Sequence, residues 1–350
     1  MTIEEWNAPR YRHRETPHYE VWYVTAVDPA RDLGLWLRWT LLVPGDPERA
    51  PIASVWAVLQ RHGRPPIVLR DDRPLASFGA AKTGITIGPC RLGPKDTKGS
   101  VGDSATGLAL SWDLKWGPPG VAWQHFHPAL KESGIAKSCL NSPRLATSLT
   151  GSVTIRDADG AEETLELAAV PAEQTHLWGR SPTRHYAWAH GNAFKDRPDV
   201  VFEGLSARIA KGPLLLPAAG PLLLVTERHR FELNGLLAMY GVRSEQDSGR
   251  WTFEAEAGGL LLRGEIHAPL DRVVALEYAD PASRATNWCQ NTLRADARIR
   301  LYAPSGTRWR CVEDLHAERS MAFEITRPTL DPRVTHSAPW SAGRAVPEGE

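Results

Sequence analysis

Cysteine is scarce in this chain: four in 350 residues, standing singly at Cys90, Cys139, Cys289 and Cys311, with no Cys-x-x-Cys pair. That spacing excludes a disulfide framework and predicts isolated, reduced thiols. An excess of one charge is missing too, since 41 Lys+Arg balance 41 Asp+Glu. Nucleic-acid binding needs clustered cations that displace counterions, so no nucleic-acid partner is expected. No stretch approaches the roughly 20 apolar residues of a membrane helix, so no transmembrane segment is expected. The N-terminus reads Met-Thr-Ile-Glu-Glu-Trp, acidic where a signal peptide needs cations and then an apolar run, and predicts a cytoplasmic protein. A phosphate loop, a Gly-x-Gly-x-x-Gly turn and a Gly-x-Ser-x-Gly elbow are absent as well. No cofactor and no metal is expected.

Phe and Tyr are few at 7 each and Met stands at 3, against 14 Trp. Tryptophan gives rigid, amphipathic walls, so the excess points to strand-to-strand packing or to a large apolar cavity. Eight of the 14 fall within the first 123 residues, while Trp178 and Trp188 stand near the middle.

Period-two alternation dominates the informative segments and marks half-buried strands. Leu108, Leu110, Trp112, Leu114 and Trp116 share one face; Ala109, Ser111, Asp113 and Lys115 share the other. Similar patterns run through 19–26, 33–43, 152–156, 164–170, 251–257 and 297–302, with turn signals such as Asp159-Gly160 and Asn234-Gly235 between them. With 29 Gly and 28 Pro spread along the chain, only 128–133 and 282–289 have room for short helices. Sixteen or more strands predict an all-β protein of two consecutive antiparallel barrels or sandwiches. The irregular stretch 171–197 suggests a junction, with barrels over residues 1–185 and 186–335 and a frayed polar tail over 336–350.

The densest chemistry lies at that junction. In Trp188-Ala-His190-Gly-Asn192, the side chains of 188, 190 and 192 face one way if the segment is extended, and His176 and Trp178 pair likewise. Tyr186, Phe194 and Glu203 stand nearby in sequence. Aromatic walls around a few polar groups describe a small-molecule site, and imidazole moves protons near neutral pH. The other reading is that these residues pin two barrels together. Glu203 is either a buried acid with a raised pKa or a surface partner of Arg208. His125-Phe-His127, with Glu132 following, imitates half of a cupin metal motif, but Pro128 breaks the strand, and two surface histidines near a turn are expected.

The segments His18-Tyr-Glu-Val-Trp22, Gly34-Leu-Trp36-Leu-Arg-Trp39 and Ala53-Ser-Val-Trp56 resemble the start of a tandem-lipocalin family. It gathers carotenoid 1,2-hydratases, tocopherol-cyclase-like and AttH-like proteins and fungal Diels–Alderases. His176-x-Trp178-Gly, Trp188-x-His190-Gly-Asn192 and Phe202-Glu-Gly-Leu-Ser-Ala-Arg208 extend the resemblance over residues 18 to 327. It implies two lipocalin- or calycin-like barrels and a hydrophobic small molecule bound within or between them. The hydratases' His-x-Trp pair matches His176 and Trp178. Their Tyr-x-Asp-His-Asn run aligns with Trp188-Ala-His190-Gly-Asn192, where Tyr has become Trp and the acid has become His. Imidazolium (pKa ~6.5) is a weaker acid than a carboxylic acid (~3.9), so cyclisation or isomerisation is favoured over hydration. The resulting expectation is a cofactor-independent enzyme for an isoprenoid- or polyketide-like molecule, or else a non-catalytic carrier. His176, His190 and Asn192 would be catalytic; Trp178, Trp188, Tyr186, Phe194 and Glu203 would bind substrate.

Overall fold

The computed structural model describes residues 2–12, 15–82, 84–126, 138–208, 210–211, 214–215, 218–235 and 238–338. Among these, helix is confined to Ile3–Asn7 and three short 3-10 turns, and strand follows strand elsewhere. The alternating segment 33–43 is a strand over Leu33–Val43, and 251–257 lies within Arg250–Ala257.

The first sheet runs in the order Arg64–Pro74, Ile52–Arg61, Leu33–Val43, His18–Asp28, Glu162–Gly179, Ser138–Arg156, Ala109–Trp116 and Asp96–Gly102. Three short strands then return it to Phe78–Ala81. It wraps a core of Trp22, Leu35, Leu37, Trp39, Leu110, Trp112 and Leu114. The second sheet runs Arg230–Leu233, Leu222–Val225, Val201–Ala207, Tyr186–Gly191, Arg308–Arg327, Thr286–Ser305, Leu260–His267, Arg250–Ala257 and Arg243–Asp247. Its core holds Phe202, Phe231, Trp251, Phe253 and Phe323. The molecule is thus all-β, two antiparallel lipocalin-like barrels in succession, one of which closes only halfway.

A third apolar cluster lies between the barrels. Tyr19, Val21, Tyr23, Trp36 and Trp56 on the outside of the first meet Trp188, Leu276, Cys289 and Leu293 on the outside of the second. The strands at this seam are therefore buried on both faces. Gly34 lies hard against the Leu293 side chain, where a Cβ would collide with it, so the two strands approach as closely as backbone allows. Beside that contact the Arg294 guanidinium grips Asp32 through Nε at 2.6 Å and an η nitrogen at 2.5 Å.

Three sequence expectations change. The stretch from Pro171 is not irregular: it continues the Glu162–Gly179 strand, and Tyr186–Gly191 is a strand again. The segment 282–289 is not helical. Asp280 accepts the Ala282 N–H and the Ser283 hydroxyl, making an Asx-type turn, and the strand resumes at Thr286. The tail opens with an ordered strand, His336–Ala338, paired in parallel with Val274–Ala279, while positions from 339 on and the helix expected over 128–133 lie outside the described residues.

Candidate functional site

His176 and His190 were both expected at the small-molecule site; the structure separates them. Along the Glu162–Gly179 strand, Glu173 and Thr175 face the seam, whereas Gln174, His176 and Trp178 face the other way. His176 stands opposite Trp22, inside the first barrel, and stacks on its ring at 4.7 Å and 10°. Its Nδ1 is hydrogen-bonded with the Trp6 carbonyl at 2.7 Å and its Nε2 with Glu20 at 2.8 Å. Trp178 packs on the same imidazole at 4.8 Å and carries the Arg10 guanidinium over its own ring.

Glu20 also accepts the backbone N–H of Arg10 at 2.6 Å and of Tyr11 at 2.8 Å. Burial pushes the Glu20 carboxyl up, but hydrogen bonds from His176, His18 and Arg10 outweigh it and bring it down to about 2. This cluster fastens the N-terminal segment across the barrel, and every ring nitrogen of His176 is occupied. A carboxyl lowered on folding stabilises the fold above its ordinary value near 4.5, and that stability is lost as pH falls toward about 2. Replacement Glu20→Gln is accordingly expected to speed hydrogen exchange at the Arg10 and Tyr11 amides at pH 7, with wild type matching it only in strong acid. Unchanged exchange would show that the carboxylate does not anchor this segment.

The second cluster lies at the seam and unites Trp188, His190 and Glu203 with Glu173, which the sequence reading missed, and His125, which it placed on the surface. His190 and Glu203 are direct cross-strand partners. Glu203 is wholly buried, and its two oxygens receive three donors: the Trp188 indole N–H at 2.7 Å, His125 Nε2 at 2.8 Å and His190 Nδ1 at 3.0 Å. Burial raises this carboxyl, yet the two histidine hydrogen bonds prevail and hold it below the ordinary value. Of the two readings open for Glu203, it is buried, but with its pKa lowered rather than raised.

Glu173 lies 3.3 Å from the same His190 nitrogen and accepts the Thr25 hydroxyl at 3.2 Å. Its surroundings act oppositely. Burial first, and then the negative charge of Glu203, push it well above the usual carboxylate range. Two like-charged carboxyls this close in a dry site do not both ionise, so Glu203 is the carboxylate and Glu173 the neutral acid. An ionised carboxylate only accepts, so the histidine nitrogens that face Glu203 are donors. Among the described residues, His190 Nε2 and His125 Nδ1 are buried with no hydrogen-bond partner.

The result is an imidazole backed by a carboxylate, the arrangement that orients a base, with a protonated acid beside it. One ligand atom each from Glu173, His190 and Glu203 also lie within 4.8 Å of one another, so these are the residues with the donor set for a divalent cation.

The remaining predicted residues serve elsewhere. Tyr186 donates to Glu324 at 3.1 Å, along the same face as Trp188. Asn192 clasps the barrels, its amide donating to the carbonyls of Leu145 and Ala172. Phe194 is in the second barrel's core. His125 is not on the surface: Trp123, whose indole reaches Glu232, packs on its ring at 4.4 Å and carries it over the second barrel. His127 and Glu132 of the cupin-like motif lie outside the described residues.

No family model matches the sequence. An uncharacterised protein of Mycobacterium tuberculosis strain H37Rv is 25% identical over 345 residues, covering 95% of this chain and 93% of its own. Among solved structures, CghA aligns with a TM-score of 0.50 at 10% identity over 89% of this chain and 88% of that one. Kievitone hydratase from Nectria haematococca aligns at 0.49 and 7% over 88% of each. The chain shares the tandem-barrel fold of CghA; at such identity the likeness is one of fold alone.

Proposed function

We propose that this protein is an enzyme that moves a proton to or from a hydrophobic small molecule at the seam between the barrels, by isomerisation, cyclisation or hydration. The observation that carries this reading is the opposed state of two buried carboxyls about one imidazole. Glu203 is held ionised against His190 Nδ1, while Glu173 is held neutral 3.3 Å from the same atom. Environments that drive paired acids apart are how one site supplies both an acid and a base at neutral pH. In this reading Glu173 gives the proton and His190 Nε2, oriented through Glu203, takes one. Trp188 and Tyr23, edge-on at 5.6 Å, form an aromatic wall, and His125 positions Glu203.

The resemblance places a carboxylic acid where this chain has His190, a loss that weakens the case for hydrating an alkene. Against that loss stand Glu173 and Glu203, which bring carboxyls to the same point from the two barrels. The fold neighbours CghA and kievitone hydratase are consistent with small-molecule work on this scaffold.

The test is incubation with isoprenoid and polyketide panels in deuterium oxide, read by mass spectrometry. Incorporation of deuterium at carbon by wild type, lowered about 10²–10⁴-fold in Glu173→Gln and in His190→Asn, is expected. A molecule retained in stoichiometric amount without exchange would make the protein a carrier instead. Incorporation that needs an added divalent cation would replace the proton relay with a metal centre.

A further inference from the structure

An open hollow of about 440 Å³ lies on the seam, bounded by Pro29 and Pro171 of the first barrel and by Asn192, Phe194 and Arg319 of the second. Its charged rim is almost fully engaged. Lys195 is held by Glu318 at 3.0 Å, and Arg197 by Asp199 at 2.9 Å and Glu313 at 2.8 Å; Asp196 stands beside them. Arg319 differs. Among the described residues its guanidinium makes one contact, 3.5 Å to an Asp32 carboxylate that Arg294 already grips at 2.5 Å, and its side chain is 42% exposed.

Arg319 and Asp196 also hold φ of +52° and +56°, the left-handed region that side chains other than glycine rarely adopt. Such strain persists where surrounding structure enforces it, and it gathers at ligand sites. Arg319 sits at a register irregularity within the Arg308–Arg327 strand, and Asp196 lies in the connection that follows Tyr186–Gly191. A guanidinium fork with most of its donors unspent matches a carboxylate, and the proline and phenylalanine surfaces match an apolar body.

We propose that this hollow receives an amphipathic carboxylate, its head on Arg319 and its apolar part across Phe194, Pro29 and Pro171. The link to catalysis rests on the function proposed above, since Asn192 in the lining lies two residues beyond His190 in the chain. The binding step stands independently of it.

Octanoate and 1-octanol have the same length and differ in charge, so titration calorimetry of the full chain with each tests the assignment. Wild type is expected to bind octanoate at least about tenfold more tightly than octanol. Arg319→Gln should bring octanoate down to the octanol level without changing octanol, and Arg319→Lys should keep part of the preference. Equal binding of both by wild type, no binding of either, or full octanoate affinity in Arg319→Gln would each overturn the proposal. Glu173→Gln and His190→Asn are expected to bind octanoate normally, so loss of turnover there leaves the hollow intact. Loss of octanoate binding in those two variants would instead put the ligand in the buried cluster and remove it from Arg319.

Discussion

Replacing Glu203 with Gln is expected to destabilise the protein by about 3 kcal/mol or more at neutral pH, whereas Glu173→Gln costs less than about 1 kcal/mol at pH 4, where Glu173 holds its proton folded and unfolded alike. The two residues are equally buried and share one histidine, so burial alone predicts equal losses. Their hydrogen bonds set them apart. Glu203 accepts from Trp188, His125 and His190; an amide in its place presents an N–H to these donors, and only His190 has a second carboxyl, Glu173, within reach. Glu173 is already neutral, and glutamine keeps its shape and its acceptor for Thr25.

The pH dependence has opposite signs at the two sites. Glu203, lowered on folding, contributes stability above the ordinary carboxylate value of 4.5 that is lost as pH falls through its folded value. Glu173, raised on folding, leaves stability intact below 4.5 and forfeits it as pH rises toward its folded value. Urea unfolding from pH 4 to 9 is the measurement. Glu173→Gln should gain on wild type and overtake it as pH rises above 4.5; parallel curves would mean that Glu173 is not held neutral.

The barrels were legible in the sequence wherever one face of a strand meets core and the other meets water. Leu110, Trp112 and Leu114 alternate with polar neighbours and lie in the first core as expected. The reading failed where a strand is buried on both faces, because alternation then disappears. From Pro171 to Gly179 polar residues point both into the barrel and into the seam, which looked like an irregular loop. The site was legible only in its local part. Trp188 and His190 share a face by period two, and Glu203 faces His190 from the next strand, across the connection 192–200. Glu173 and His125 reach them from the other barrel through packing that no spacing records. The same periodicity misled for His176, which lies an odd number of residues from Glu173 and so points into the barrel instead of the seam.

Arg294→Met is expected to cost about 3 kcal/mol, toward the lower end of the range for breaking a buried pair by removing one partner. Asp32 is 5% exposed, and Arg294 supplies both of its short charge-assisted bonds. His62 at 3.0 Å and Arg319 at 3.5 Å remain and compensate in part, which argues against the upper end. The loss comes from the stranded carboxylate, so Asp32→Asn added to Arg294→Met should recover more than half of it. Asparagine is the appropriate partner because residue 32 holds φ at +49°, a conformation asparagine tolerates and leucine does not. The pair also ties one barrel to the other beside Gly34 and Leu293, so the single variant should split one cooperative unfolding transition into two. Calorimetry of wild type, both single variants and the double variant measures the loss, the recovery and the coupling together. A double variant no more stable than Arg294→Met would show that the guanidinium matters for its packing on the seam and not for the charge it neutralises.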